Sequence, residues 1–303
     1  MTWHKHYILI GLIFLIGCQT DLASVRQDPD PYVVFETSDY EQAFRLLIPM
    51  ADMGDAKAQY YLGKMFDQGL GVTRSVVTAS KWYLAAANRQ YLPAVVEMGE
   101  RYFYGVGVEQ DLQESITLFE VAAFKGQIDA QLRLAKIYET GERAQKDLIL
   151  SHHWYQQAAN TGNPQALYEL GRLAANGIGM EKDLAQASEW WRESAFLGYA
   201  DAQYHYGLMV SQQITGTKTL EEAREWFNAA ANQGHWAAML ALGDMARAAH
   251  NFPMAMSWYL CAAALGAPSA SSQARNLAME MSTEARQIAQ QQSQIFLSIA
   301  QLK

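Results

Sequence analysis

The chain has 303 residues, half of them apolar, so it is long enough and apolar enough to bury a continuous core. Its formal net charge is −8 at pH 7, with 23 basic and 31 acidic residues. No basic stretch that could bind phosphates is visible, which argues against nucleic acid as a partner.

The first 17 residues have the features of a signal peptide. Lys5 precedes an apolar run over residues 7–16, which is shorter than the ~20 residues of a membrane-spanning helix and typical of a signal-peptide core. The run ends in Leu-Ile-Gly-Cys at Cys18, which resembles the bacterial lipobox. That resemblance implies cleavage before Cys18, lipidation of Cys18 as an anchor in the membrane and, with Gln19 next, sorting to the periplasmic face of the outer membrane. The alternative is an ordinary secretory signal with a chance cysteine.

Two short segments precede the main part of the chain. Residues 18–38 show no helical period and contain Asp-Pro-Asp-Pro at 28–31, so they predict a flexible, solvated tether. Residues 39–53 resemble the second helix of the repeat described next, without its first helix, and predict an amino-terminal half-repeat. Pro49 should kink or end this helix.

The segment from 54 to 267 repeats every 36 residues. Small residues mark the first half of the repeat, at Ala58, Ala94, Ala130, Ala166, Ala202 and Ala238. Bulky residues mark the second half, at Trp82, Leu118, Trp154, Trp190 and Trp226, and Trp258 follows four residues early. A period of this size with helix-loop-helix content is typical of an α-solenoid.

Glycines inside the predicted first helices, such as Gly63 and Gly171, indicate a close approach between neighbouring helices. A glycine costs about 1 kcal/mol in a helix interior, so a packing reason is needed. We expect the Trp82 series to fill the space that these small residues leave.

The motifs Ala58-x-x-x-Leu62-Gly63, Gly69-x-Gly71-Val72 and Trp82-Tyr83 resemble the Sel1-like repeat, a relative of the tetratricopeptide repeat. The resemblance covers about residues 54–267 and departs from the pattern in the third, fifth and sixth loops. It implies an all-α fold, a right-handed α-solenoid of about six helix-loop-helix repeats of 36 residues, with capping helices at its ends.

In related arrays the first helices line a concave face, and this implies a set of partner-binding residues. Tyrosine and arginine tend to contribute most to such surfaces. The candidates are Tyr60, Lys64, Glu100, Phe103, Tyr104, Lys136, Tyr168, Arg172, Tyr204 and Asp244. The alternative is that half of these positions pack against the adjacent repeat.

No catalytic, cofactor or metal motif stands out. The Gly-x-Gly turns are not followed by Lys-Ser/Thr and do not form a phosphate loop. His152 and His153 are adjacent, about 100° apart on a helix, and cannot easily share one ion. Cys261 lies among alanines and predicts a buried, inert thiol. We therefore expect no enzyme activity, cofactor or metal.

The pattern changes over residues 268–303. Apolar positions alternate by four and three at Ala274, Ala278, Met281, Ala285, Ile288, Ile295, Ile299 and Leu302, interrupted by Gln292. One interpretation is a long helix that caps the last repeat. The other is a coiled coil, with self-association through 274–302 or contact with another protein.

These features together favour a lipid-anchored adaptor or scaffold that binds a protein partner in the periplasm. An alternative implied by the same resemblance is an immunity protein that neutralises a type VI secretion phospholipase-type toxin there. An enzyme is a third and weaker alternative. Neighbouring toxin genes would favour immunity, and neighbouring export or motility genes would favour the scaffold.

Overall fold

The computed structural model describes residues 29–213 and 219–301. Within these ranges the chain forms sixteen α-helices and no strand, which confirms the predicted all-α fold. The helices are α1 (Pro31–Glu36), α2 (Tyr40–Asp52), α3 (Ala56–Gln68), α4 (Val76–Asn88), α5 (Leu92–Tyr104), α6 (Leu112–Phe124), α7 (Ile128–Thr140), α8 (Leu148–Ala159), α9 (Pro164–Asn176), α10 (Leu184–Phe196), α11 (Ala200–Ser211), α12 (Leu220–Ala231), α13 (Trp236–Ala248), α14 (Phe252–Ala264), α15 (Ala270–Met279) and α16 (Thr283–Gln301).

From α3 to α14 the helices form six hairpins, each with a first and a second helix. The most extensive contacts join the two helices of a hairpin, and every second helix also packs on the first helix of the next hairpin. Each hairpin therefore packs against its neighbours, as in other solenoids. No helix in the described ranges has both the length and the apolar content needed to cross a bilayer.

Side-chain caps at helix starts and glycines at helix ends set the hairpin boundaries. Asp111, Asp147 and Asp183 accept backbone N–H bonds at the starts of α6, α8 and α10, which satisfies donors that have no partner inside a helix. Gly177 ends α9 with φ 67°, a left-handed conformation that favours glycine. Local sequence therefore determines where each helix begins and ends.

The predicted close approach at the helical glycines is confirmed. A Cβ added at Gly171 would lie 2.5 Å from Cδ1 of Trp191, so only a hydrogen fits there. The prediction that the Trp82 series fills this space is wrong, however. The buried rings belong to the next position along the second helix, the series Tyr83, Phe119, Tyr155, Trp191, Phe227 and Tyr259.

The Trp82 series lies about 100° further round each second helix and packs differently. Trp154 contacts Phe124, and Trp226 contacts Phe196, both from the preceding second helix. These tryptophans therefore join successive repeats, and Trp226 also contacts Tyr206 of its own hairpin at 5.4 Å between centroids.

The array begins with a helix in the segment predicted to be a tether. Pro31–Glu36 forms α1, and the rings of Tyr32 and Phe35 pack on Tyr61 at 5.0 and 4.9 Å between centroids. The tether prediction is therefore wrong for this part of residues 18–38. The predicted signal peptide, Cys18 and the tether up to residue 28 lie outside the described residues.

Helix α2 corresponds to the predicted half-repeat. It runs from Tyr40 to Asp52 and continues past Pro49. Of the two predicted effects of this proline, a kink or an end of the helix, the second is therefore wrong. Ala43, Leu47 and Ala51 are buried beneath the first full hairpin. The half-repeat therefore covers the apolar face at this end of the array.

The carboxyl-terminal region is not one helix. The predicted single long helix is wrong because the chain turns between Met279 and Thr283, which separates α15 from α16. Helix α16 packs on α14, where Phe296 stacks on Trp258 at 4.4 Å between centroids. Most of the predicted seam in α16 is exposed, at Ile288, Ile295 and Ile299, and Leu302 lies outside the described residues. Self-association through 274–302 stays a prediction.

Candidate protein-binding face

The first helices α3, α5, α7, α9, α11 and α13 carry the predicted binding residues. We call the surface that these helices form the first-helix face. Three of the predicted tyrosines on it, Tyr60, Tyr168 and Tyr204, are half-buried. Each ring contacts the residue just before the next first helix, namely Tyr91, Tyr199 and His235, at 4.7 to 5.3 Å between centroids. These tyrosines therefore link neighbouring repeats while they keep part of their surface open.

Two adjacent aromatic residues near the end of α5 have opposite environments. Phe103 is 1% exposed and lies in the core, so its prediction as a partner-binding residue is wrong. The guanidinium of Arg133 covers its ring at 4.2 Å. Tyr104, one residue on and therefore turned outward, is 53% exposed, and its hydroxyl accepts a hydrogen bond from Arg133 at 2.9 Å.

Opposite charges pair across the repeat boundaries along this face. Each pair joins an acidic residue of one repeat to a cation or histidine of the next. The pairs are Asp67–Arg101 at 2.6 Å, Glu100–Arg133 at 2.8 Å, Glu139–Arg172 at 2.5 Å and Asp201–His235 at 3.3 Å. We call this set the ion-pair ladder. It joins α3 to α5, α5 to α7, α7 to α9, and α11 to the residue that precedes α13.

The ladder is most extensive at Glu139, which is only 8% exposed. Its carboxylate binds Arg172, accepts a hydrogen bond from the hydroxyl of Tyr155 at 3.1 Å and lies 3.4 Å from the ammonium of Lys136. Burial alone would raise the pKa of Glu139. The hydrogen bond and charge of Arg172, helped by Lys136 and Tyr155, outweigh burial and hold that pKa below its ordinary value.

Glu97 and Glu100 on α5 show the opposite balance. Burial raises the pKa of both carboxyls, and Arg101 and Arg133 offset this only in part. The pKa values of Glu97 and Glu100 are therefore raised whereas that of Glu139 is lowered, although all three carboxyls lie beside an arginine.

The remaining predicted residues differ in side-chain exposure and in the contacts that they already make within the chain. Lys136 is 48% exposed, whereas Arg172 is held by Glu139 and by Glu169 at 2.6 Å. The ammonium of Lys64 lies over Phe35 at 5.4 Å. Asp244 is exposed and accepts a hydrogen bond from the hydroxyl of Tyr259 at 2.7 Å. Tyr104 and Lys136 are thus better candidates for binding than Glu100 or Arg172.

Sequence reasoning missed six ladder partners and His205. The six are Asp67, Arg101, Arg133, Glu139, Asp201 and His235. A signal for them exists, because the paired residues stand 33 or 34 residues apart, just under one repeat. His205 stacks on Trp191 at 4.8 Å, and burial lowers the pKa of this histidine. It belongs to the packing of the face more than to its open surface.

The other singled-out groups do not form a site. The ring of His152 contacts Trp190 and that of His153 contacts Trp154, so the two rings point to different neighbours. No group of three His, Cys, Asp or Glu side chains in residues 29–213 and 219–301 is placed to hold a metal. Cys261 is buried on α14, and burial raises the pKa of its thiol to about 11, which disfavours the reactive thiolate.

Two comparisons with solved structures show what this architecture is similar to. A Sel1 repeat protein from Oxalobacter formigenes is 26% identical, with 85% of this chain and 98% of that chain covered and a TM-score of 0.66. The protein c5321, a protective antigen of uropathogenic Escherichia coli strains with an SLR fold, is 24% identical, with 89% and 68% covered and a TM-score of 0.54. Immunity protein Pa5087 from Pseudomonas aeruginosa is more distant, at 17% identity, 82% and 81% coverage and a TM-score of 0.44.

Among curated proteins, none matches the sequence. The Sel1 repeat family model matches seven consecutive segments, and the first of them is as short as the half-repeat built around α2. The segments are 34–55, 56–91, 92–126, 128–163, 164–199, 200–235 and 236–266. They cover most of the chain and follow the hairpin boundaries of the structure, so the chain belongs to the Sel1 repeat family.

Proposed function

We propose that this protein is a lipid-anchored adaptor that binds another protein along its first-helix face, on the periplasmic side of the outer membrane. A Sel1 repeat array is a fold suited to protein–protein interaction. Such arrays present long, continuous surfaces built from equivalent positions of successive repeats.

The ion-pair ladder is the observation that supports this face as the binding surface. It links α3, α5, α7 and α9 to one another and holds side chains such as Arg133 and Arg172 in place. A surface that is already ordered loses less entropy when it binds. Tyr104 and Lys136 project from it with much of their surface open to a partner, and tyrosine is a residue type enriched among those that dominate binding energy.

A second candidate function is immunity against a phospholipase-type toxin delivered to the periplasm by type VI secretion. It rests on the resemblance of the anchor and repeats to immunity lipoproteins of this class. The two functions use the same kind of surface and differ in the partner. A partner with toxin or lipase character would identify an immunity protein, whereas subunits of an envelope assembly would identify a scaffold.

The anchor part of the proposal rests on the lipobox-like sequence that ends at Cys18. We expect Cys18→Ala to abolish metabolic labelling of the protein with a palmitate analogue and to release it from the membrane fraction. Cys261→Ala is the matched control, and it should leave labelling unchanged. Labelling that persists in Cys18→Ala would contradict the anchor.

Removal of an exposed charge from the first-helix face should weaken binding without unfolding the protein. We expect Lys136→Gln to reduce affinity for a purified partner by about tenfold, the equivalent of 1.4 kcal/mol, because an exposed charge at the centre of the face is lost. Glutamine is chosen because it places no second carboxylate beside Glu139, which lies 3.4 Å from the Lys136 ammonium. Lys81→Gln makes the same change on the second helix α4 and should leave affinity unchanged. Calorimetric titration compares the two, and equal affinities would contradict the proposed face. Arg172→Glu is unsuitable because it disrupts the ladder itself.

A further inference from the structure

The ends of the second helices alternate between two residue types. The same repeat position holds Asn88, Phe124, Asn160, Phe196 and Asn232 in five successive repeats. Because asparagine occupies this position in three of the five repeats, the fold does not require an aromatic ring there. Phe124 and Phe196 are nevertheless 75% and 71% exposed, and large exposed apolar side chains of this kind mark interaction sites.

Both phenylalanines are held in place by the next repeat. The ring of Phe124 meets Trp154 edge-to-face at 5.2 Å between centroids, and Phe196 meets Trp226 in the same way at 5.1 Å. This geometry is the favoured one for aromatic pairs. It fixes the orientation of each ring and leaves much of its surface to solvent.

A groove of about 590 Å³ lies beside Phe196 along the outer side of α10. Trp190, Phe196 and Leu197 supply its apolar surface, and Leu197 is itself exposed. The equivalents of Phe196 and Leu197 in the preceding repeat are Asn160 and Thr161. This apolar groove is therefore a property of one repeat and not a general consequence of the fold.

The rim of the groove carries negative charge. Glu189 is held by Arg192 at 2.5 Å on the same helix. Glu193 also lines the groove, is exposed, and has no ion-pair partner among residues 29–213 and 219–301. Arg192 is the one cation among the residues that line the groove, and it is already paired with Glu189. A cation is the complement of this rim.

We propose that this groove is a second protein-binding site, which takes a basic and apolar segment of a partner protein. An arginine or lysine of that segment places its charge at Glu193 and its aliphatic stem along Trp190 and Phe196. An adjacent aliphatic side chain covers Leu197. An anionic bilayer fits less well, because the carboxylate of Glu193 would face lipids of the same charge. The site is separate from the first-helix face and does not depend on it.

The test uses the full-length protein and a fluorescently labelled peptide, acetyl-Leu-Arg-Leu-Arg-Leu-amide, measured by anisotropy. The double variant Phe196→Asn with Leu197→Thr carries the residues of the preceding repeat, and an unchanged thermal melt will show that it folds. We expect saturable binding by the unmodified protein, at least tenfold weaker binding by the double variant, and loss of binding when glutamate replaces arginine in the peptide. Added salt should also weaken binding, since the contact is charged.

Three results would overturn the proposal. The first is no saturable binding of the arginine peptide at millimolar concentration. The second is equal affinity of the unmodified protein and the double variant, or of the arginine and glutamate peptides. The third is Phe196-dependent cosedimentation with phosphatidylglycerol vesicles without peptide binding, which would assign the groove to a lipid surface instead.

Discussion

Replacing Trp191 by alanine is expected to lower the free energy of unfolding by about 3–5 kcal/mol, the usual cost of removing a buried tryptophan. Trp191 is 3% exposed and its ring lies directly over Gly171. Its indole N–H donates to the backbone carbonyl of Tyr168 at 3.1 Å, and its ring stacks on His205. The substitution opens a cavity in the middle of the array and removes the hydrogen bond from the indole to the Tyr168 carbonyl.

Trp190→Ala is the matched control for this prediction, because it removes the same side chain one residue away. Trp190 is half-buried on the outer side of α10, so we expect a smaller loss of about 1–2 kcal/mol. Urea unfolding followed by circular dichroism measures both. Equal losses, or a larger loss for Trp190→Ala, would contradict the assignment of the Trp191 position as the one that fills the hairpin.

The second large effect concerns Glu139. Glu139→Gln should cost about 2 kcal/mol at pH 7, because it removes the buried negative charge that pairs with Arg172. Arg172 keeps its ion pair with Glu169. The expected loss of stability is therefore smaller than for a buried cation that is left without any partner. The hydrogen bond from Tyr155 is retained in weaker form, since an amide oxygen still accepts it.

The loss should depend on pH in a defined direction. The pKa of Glu139 is lowered in the folded protein, so its stabilising effect is present above the pKa of the unfolded chain. It is lost as the pH falls through the lower folded pKa. The difference between the unmodified protein and Glu139→Gln should therefore shrink as the pH is lowered from 7 through this window.

Glu100→Gln is the control, because burial raises the pKa of Glu100. The contribution of this carboxyl is present below the unfolded pKa and is lost as the pH rises through the folded pKa. Relative to the unmodified protein, Glu100→Gln should thus gain stability with rising pH while Glu139→Gln loses it. Melting curves at a series of pH values measure both, and parallel pH profiles for the two variants would contradict the account.

The architecture could be predicted because its causes are local and repeated. Small residues at Ala58 and Gly63 and their equivalents mark the helix contacts every 36 residues, and the structure places them there. The period does not say which of two adjacent bulky residues turns inward. Trp190 and Trp191 are both large and aromatic, and only the packing of the hairpin decides between them.

The two ends of the array were harder to predict for different reasons. Asp30 and Pro31 looked like part of a linker, yet Asp30 caps α1 and Pro31 occupies its first turn, a common helix start. The break before α16 had a weaker signal, because no glycine or proline lies between Met279 and Thr283. Its only mark is Ser282, whose hydroxyl accepts a hydrogen bond from the backbone N–H of Ala285 at 3.2 Å and caps the helix. A four-and-three apolar pattern is satisfied equally by one helix or by two.

The positions of residues on the proposed binding face were predicted in outline and not in detail. Repeat positions correctly located residues on the first helices, but exposure within a helix changes from one residue to the next, as Phe103 and Tyr104 show. The ion-pair ladder depends on the offset between neighbouring first helices. That offset comes from helix packing, so the 36-residue period alone does not reveal pairs such as Glu139 and Arg172.

Site-specific photocrosslinking in living cells tests the central claim most directly. A photoreactive amino acid at Tyr104 samples the first-helix face, and the same amino acid at Val77 samples the exposed start of α4. The account predicts a discrete crosslinked protein from Tyr104 and none from Val77, with mass spectrometry identifying a toxin or an envelope subunit. The same crosslinked protein in equal yield from both positions, or no protein adduct at Tyr104, would contradict it.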